Sequence, residues 1–226
     1  MEIGMLNEND FIEFLTAGYK LSDFGYEVSK ECLNTRVVPC ILPIGKSREQ
    51  KFQNPRYIVI HETSIGTEKA PEYKNLEYYK NRLFNDPNNE VAFHYLCSDN
   101  EILQFVPDFE VAYHAGSKLN YRSIGIERLV NERINFPDAL HNQAKLVATL
   151  MYKWGIPLQR VITHKNARIA VEAPPKECPA RMLDFQYGGE KAFYNEVINC
   201  IRKKDFFYEV LNVSLSIVED TPKKSR

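Results

Sequence analysis

The chain has 226 residues, with 44% apolar and 26% charged, which is ordinary globular composition and length for one domain with a small appendage. A net charge of −1 gives no electrostatic footprint for nucleic acid, and no apolar run reaches the roughly 18–20 residues that span a bilayer. The N-terminus, MEIGMLNENDFIEF, has no basic region followed by an apolar core, which predicts no secretory signal peptide and synthesis for the cytoplasm. Five cysteines, at 32, 40, 97, 178 and 200, are an odd number at scattered spacings. They read as thiols or a metal ligand rather than a disulfide framework.

Residues 1–54 read as an appendage and linker. Phe11, Phe14, Leu15 and Tyr19 fall at helical spacing. Residues 37–43 follow as an extended segment, since Pro39 and Pro43 discourage helix on both sides. The charged run from Lys46 to Lys51 reads as a linker.

The character changes at Arg56. Tyr57-Ile58-Val59-Ile60 has the β-branched, apolar composition of a buried strand, and Ser64 to Thr67 ends it in a loop. Tyr73, Leu76, Tyr79, Leu83 and Phe84 predict an amphipathic helix over 72–84, stopped by Asp86-Pro87. Residues 92–97 and 102–106, around Asp99-Asn100, read as a β-hairpin. Ser123-Ile124-Gly125-Ile126-Glu127 is another short strand. Pro137 and Asp138 open a long helix that Gly155 closes. Val161-Ile162-Thr163 is a strand leading into His164, and 190–203 form a last helix through Phe193, Val197 and Ile201. Strands interleaved with helices predict an α/β fold, a central mixed sheet flanked by helices.

His61 and His164 each sit just past a buried-looking strand, where sites gather in open α/β sheets. Cys178 follows His164 closely. Two imidazoles and one thiolate suit Zn²⁺ and leave a fourth tetrahedral position for water. Spacing alone favours the plainer reading of two half-buried strand-end histidines and an inert cysteine.

The local wording goes further. Ile58 to Thr63 (IVIHET), Tyr113 to Gly116 (YHAG), Ser123 to Glu127 (SIGIE), Thr163 to Lys165 (THK) and Lys176 to Pro179 (KECP) occur in that order. The series resembles the type 2 N-acetylmuramoyl-L-alanine amidases, which include phage and prophage endolysins, cytoplasmic recycling amidases and peptidoglycan recognition proteins. The resemblance covers about residues 55–200 and is nearest the endolysin and sporulation branch. It implies a zinc cleft at strand ends, with His61, His164 and Cys178 as ligands. It implies Glu127 as general base and Lys176 as a cation for the tetrahedral oxyanion. The YHAG segment implies that His114 borders the substrate. His94 is the second candidate for substrate binding, although strand alternation also suits it to the core. His141 reads as surface. Phe93 stands where one branch carries a catalytic tyrosine, which moves weight onto Glu127.

The domain reading is then 1–54 appendage, 55–204 catalytic domain and 205–226 extension. The implied reaction is hydrolysis of the amide between the muramyl lactyl group and L-alanine, on peptidoglycan or a soluble muropeptide. A recycling amidase, a non-catalytic peptidoglycan-binding module and a cysteine hydrolase using Cys178 are the alternatives. The endolysin reading implies release to the wall through a holin.

Overall fold

The computed structural model describes residues 26–28, 36–45, 47–63, 70–86, 89–184 and 189–203. The helix expected near residues 11–19, the loop at 64–67 and the extension at 205–226 lie outside them.

The sheet is built from β-branched runs that turn one side chain in two to each face. The described residues hold eight strands: β1 (Tyr26–Val28), β2 (Val37–Pro39), β3 (Tyr57–Glu62), β4 (Tyr95–Cys97), β5 (Ile102–Gln104), β6 (Ser123–Arg128), β7 (Val161–Thr163) and β8 (Ile201–Lys203). Six of them form the main sheet, in the order β2-β5-β4-β6-β3-β7. The four strands β4, β6, β3 and β7 run parallel, and β5 returns antiparallel from β4 as the expected hairpin. β2 lies parallel to β5, and Pro39 sits at that edge, where a missing N–H costs no ladder bond. β1 and β8 pair separately.

Helices cover both faces. They are α1 (Leu76–Asn85), α2 (Ser117–Asn120), α3 (Phe136–Trp154), α4 (His164–Ala170), α5 (Ala180–Leu183) and α6 (Gly189–Cys200). On one face, Ile58 and Ile60 of β3 and Ile124 and Ile126 of β6 pack against Ala144, Val147 and Met151 of α3 and Phe193 of α6. Full burial of each such side chain contributes about 1.5–3 kcal/mol. On the other face, Val59 packs with Leu119 and Ala167, while α1 covers a cluster around Leu96 and Phe105. α3 opens with Pro137 in its first turn and ends at Gly155, whose φ of 62° is the left-handed cap that glycine adopts without strain. Among the described residues, no helix is long and apolar enough to cross a membrane.

Two expectations shift. Residues 37–53 are not an appendage and linker: β2 extends the main sheet, Leu42 is buried in the core, and Arg48 makes a two-pronged ion pair with Glu110. The boundary at residue 54 therefore cuts through one packed unit. The charged run misled because Arg48 reaches back to a buried carboxylate rather than into water. Second, the final helix ends at Cys200, and residues 201–203 turn into β8. Residues 164–170 add helix α4, because the Thr163 hydroxyl caps it by accepting from the Asn166 N–H.

Candidate metal centre and active site

Strand parity decides which side chains meet. β3 and β6 are in parallel register, with His61 opposite Glu127 and Glu62 opposite Arg128. His61 and Glu127 share the face of Val59, whereas Glu62 and Arg128 point to the other face. β7 ends one strand over, and His164 follows it as the first residue of α4. All three positions sit at the C-terminal edge of the parallel strands, the usual place for a site in such a sheet. Cys178 is brought back there by the loop after α4, held by a bond from the Lys165 N–H to the Cys178 carbonyl at 2.9 Å.

His61, His164 and Cys178 are all buried, and their ligand atoms lie within 4.8 Å of one another. His61 Nδ1 is 3.1 Å from His164 Nδ1 and 3.9 Å from Cys178 Sγ. Ligands around one tetrahedral Zn²⁺ stand roughly 3.3–3.6 Å apart, given metal–nitrogen bonds of about 2.0–2.1 Å and metal–sulfur bonds of about 2.3 Å. Glu127 Oε1 is 4.0 Å from His61 Nδ1, with its side chain 17% exposed. Its Oε2 is buried with no hydrogen-bond partner among the described residues.

The electrostatics are those of a site short of positive charge. Burial holds His61 well below the ordinary histidine range, helped by His114, His164 and Lys176. Burial lowers His164 to about 4, with Lys176 and Arg168 adding to it. Both imidazoles are therefore neutral, which is the ligating form. Burial pushes the Glu127 carboxyl up to about 8; the Glu62 charge adds to this and Lys176 opposes it. Burial likewise raises the Cys178 thiol to about 12, with Glu127 contributing. A divalent cation among these groups reverses the last two tendencies, since it favours carboxylate and thiolate. The donor set, its spacing and the orphaned carboxylate oxygen all fit Zn²⁺.

His114 lies directly behind His61, with its Nδ1 3.1 Å from His61 Nε2. When His61 offers Nδ1 to a metal, its Nε2–H donates to His114, which fixes tautomer and ring angle. His114 Nε2 then donates to the Ser123 carbonyl, 3.4 Å away. The Asn120 side chain holds this loop by accepting from the His114 and Ala115 N–H groups. Gly125 makes the arrangement possible: a Cβ there would stand 2.5 Å from His114 Cγ. That is the physical content of the glycine in SIGIE.

His94 is placed elsewhere. It is fully buried; its Nδ1 accepts from the Gly125 N–H and its Nε2 donates to the Glu110 carbonyl. Both ring nitrogens bind backbone, so the ring cross-links the hairpin to β6 rather than offering a group to a substrate. Phe93 is buried edge-on against Phe105. Lys176 is exposed on the loop before Cys178, close enough for its charge to be felt at His61, His164 and Glu127. His141 bonds Glu196 across a helix pair. Sequence reasoning missed Glu62, whose carboxylate accepts from buried Arg128 and from the Arg181 N–H. Its only signal was its position next to His61.

The family pattern described as N-acetylmuramoyl-L-alanine amidase (Amidase_2) matches residues 51–181. The chain belongs to this amidase family. N-acetylmuramoyl-L-alanine amidase CwlH of Bacillus subtilis is 32% identical over 155 residues, covering 67% of this chain and 54% of CwlH. The amidase XlyA of the same species is 31% identical over 152 residues, covering 66% of this chain and 48% of XlyA. The chain thus spans about half the length of these curated relatives. Among solved structures, a mutant endolysin from Bacillus subtilis superposes with a TM-score of 0.62 at 28% identity, covering 72% of this chain and 99% of that one. The catalytic domain of XlyA gives 0.58 at 29% identity, with the same coverages. The α/β fold of this amidase family is therefore the fold of the catalytic part of such enzymes.

Proposed function

We propose that this amidase-family chain hydrolyses the amide between the lactyl group of N-acetylmuramic acid and L-alanine, with Zn²⁺ held by His61, His164 and Cys178. The observation that carries this reading is the convergence of those three donors within 4.8 Å, beside an unpartnered carboxylate, in a chain of this family. When bound, Zn²⁺ supplies Lewis acidity toward the scissile carbonyl and eases deprotonation of water. The rest is done by the chain. Glu127 accepts the proton of the attacking water at Oε1 or Oε2 and returns it to the departing amine of L-alanine. Lys176 brings an ammonium to the developing oxyanion. His114 keeps His61 in its ligating orientation.

A thiol nucleophile fits less well. Burial holds the Cys178 thiol at about 12, the opposite of an activated nucleophile, and Pro179 offers no N–H to an oxyanion. A purely binding role leaves the buried Glu127 oxygen without a task.

The test is mass spectrometry of peptidoglycan and of soluble muropeptides after incubation with the zinc-loaded protein. Stem peptides with a new N-terminal alanine and intact glycan support the reading. A new reducing sugar end, or no product from either substrate, contradicts it. The substrate that is cleaved distinguishes a wall lysin from a recycling amidase.

A further inference from the structure

The metal-facing side of β3 and β6 has a charged counterpart on its reverse. Glu62 and Arg128 are register partners, one residue beyond His61 and Glu127, and both side chains are fully buried. One Glu62 oxygen accepts from Arg128 Nη2, and the other accepts from the Arg181 backbone N–H at 2.8 Å. Arg181 lies three residues past Cys178, and the guanidiniums of Arg181 and Arg128 both lie over the Phe136 ring at the start of α3, 5.6 and 4.4 Å from its centroid. The chain around Cys178 therefore crosses the edge of the sheet. It presents its sulfur on one face and is anchored through Arg181 on the other.

Resting on the metal reading above, we propose that Glu62 is a positioning residue for the metal centre. Its carboxylate ties three ligand-bearing or base-bearing segments together: β3 with His61, β6 with Glu127, and the Cys178 turn. A charge pair in a fully apolar setting is a poor source of stability, because desolvation offsets the attraction. Here it does something packing alone cannot, since a carboxylate has two directed acceptors and spends each on a different segment. Loss of such an outer support weakens metal binding by about 10–100-fold.

The experiment uses Glu62→Gln and the pair Glu62→Leu with Arg128→Met. The pair removes both buried charges together and avoids stranding Arg128. Affinity for Zn²⁺ is measured by competition with a chromophoric chelator, and the thiolate-to-metal absorption band is recorded with Co²⁺. Near-UV circular dichroism reports the folded fraction. The expected result is a folded metal-free double variant with at least tenfold weaker Zn²⁺ binding and a shifted or diminished Co²⁺ band. Glu62→Gln, which keeps one acceptor, falls between it and the parent. A folded double variant with parental affinity and spectrum overturns the inference. If the double variant does not fold, folded Glu62→Gln decides by the same criterion. A parent chain that binds neither ion overturns the metal reading itself, and this inference with it.

Discussion

In the proposed mechanism His61, His164 and Cys178 hold the metal and Glu127 transfers the proton, and substitution separates the two tasks. Cys178→Ser and His61→Ala are expected to lose stoichiometric zinc in metal analysis. Glu127→Gln is expected to keep the metal and lose turnover by about 10²–10⁴-fold, the range for a positioned general base. Retention of full activity in Glu127→Gln removes the proposed base. Gly125 is a second residue-scale test. Alanine there drives a Cβ to 2.5 Å from the His114 ring, and overpacking of this kind costs about 1–3 kcal/mol. A lowered melting temperature is expected, together with weaker metal binding as His114 shifts away from His61. An unchanged melting temperature contradicts the packing argument. The grouping of His61, His164 and Cys178 was legible in sequence because strand-end placement and local wording marked them. His114 was legible only as a residue near the site. Its contact with His61 depends on a loop fold that no spacing encodes. Glu62 stayed hidden because its partners, Arg128 and the Arg181 backbone, come from distant segments.

Elements are joined by a few buried polar groups, and Asp108 illustrates their cost and benefit. It sits after the hairpin and accepts from Lys153 Nζ at 2.7 Å and Trp154 Nε1 at 3.0 Å, at the end of α3, and also from the Tyr95 hydroxyl of β4. Burial works to raise its carboxyl, but these donors prevail and hold it below the ordinary aspartate value. A depressed folded-state value means that the stabilisation is present above the unfolded pKa of about 3.9 and is lost as pH falls through the folded value. Asp108→Asn is therefore expected to unfold more easily at neutral pH. Its stability is also expected to fall less steeply than the parent's below about pH 4. Parallel acid-denaturation curves for the two proteins contradict this. At this scale the longer helices α1, α3 and α6 and the hairpin were readable from periodicity, caps and the Asp-Asn turn. Residues 37–43 read as extended, but not as an edge strand of the main sheet. Three residues ending in proline carry too little pattern, and the pairing with β5 is decided by the core around Leu42 and Phe105.

At the scale of the whole molecule, metal binding at the proposed centre would be coupled to folding, because the three candidate ligands come from β3, the β7–α4 junction and the loop before α5. An ion that binds only the assembled site stabilises the fold by about 2.7 kcal/mol at a hundredfold excess over its dissociation constant. For a chain of this size that corresponds to a rise of about 5–10 °C in melting temperature. A strong chelator is expected to reverse the rise and abolish hydrolysis together, and zinc to restore both. Activity that survives complete chelation contradicts the assignment and returns weight to a thiol mechanism. The architecture was legible because alternating strand and helix patterns leave few arrangements around one sheet. The extent of the packed unit was not. Residues 37–53 carry a charged run whose key member, Arg48, is satisfied by Glu110 far along the chain.

The most direct test of the metal centre is X-ray absorption at the zinc edge of the loaded protein. The proposed centre predicts one zinc per chain, with two nitrogen ligands at about 2.0–2.1 Å, one sulfur at about 2.3 Å and one further light atom. A shell with no sulfur, or zinc bound without a defined shell, contradicts a centre made by His61, His164 and Cys178.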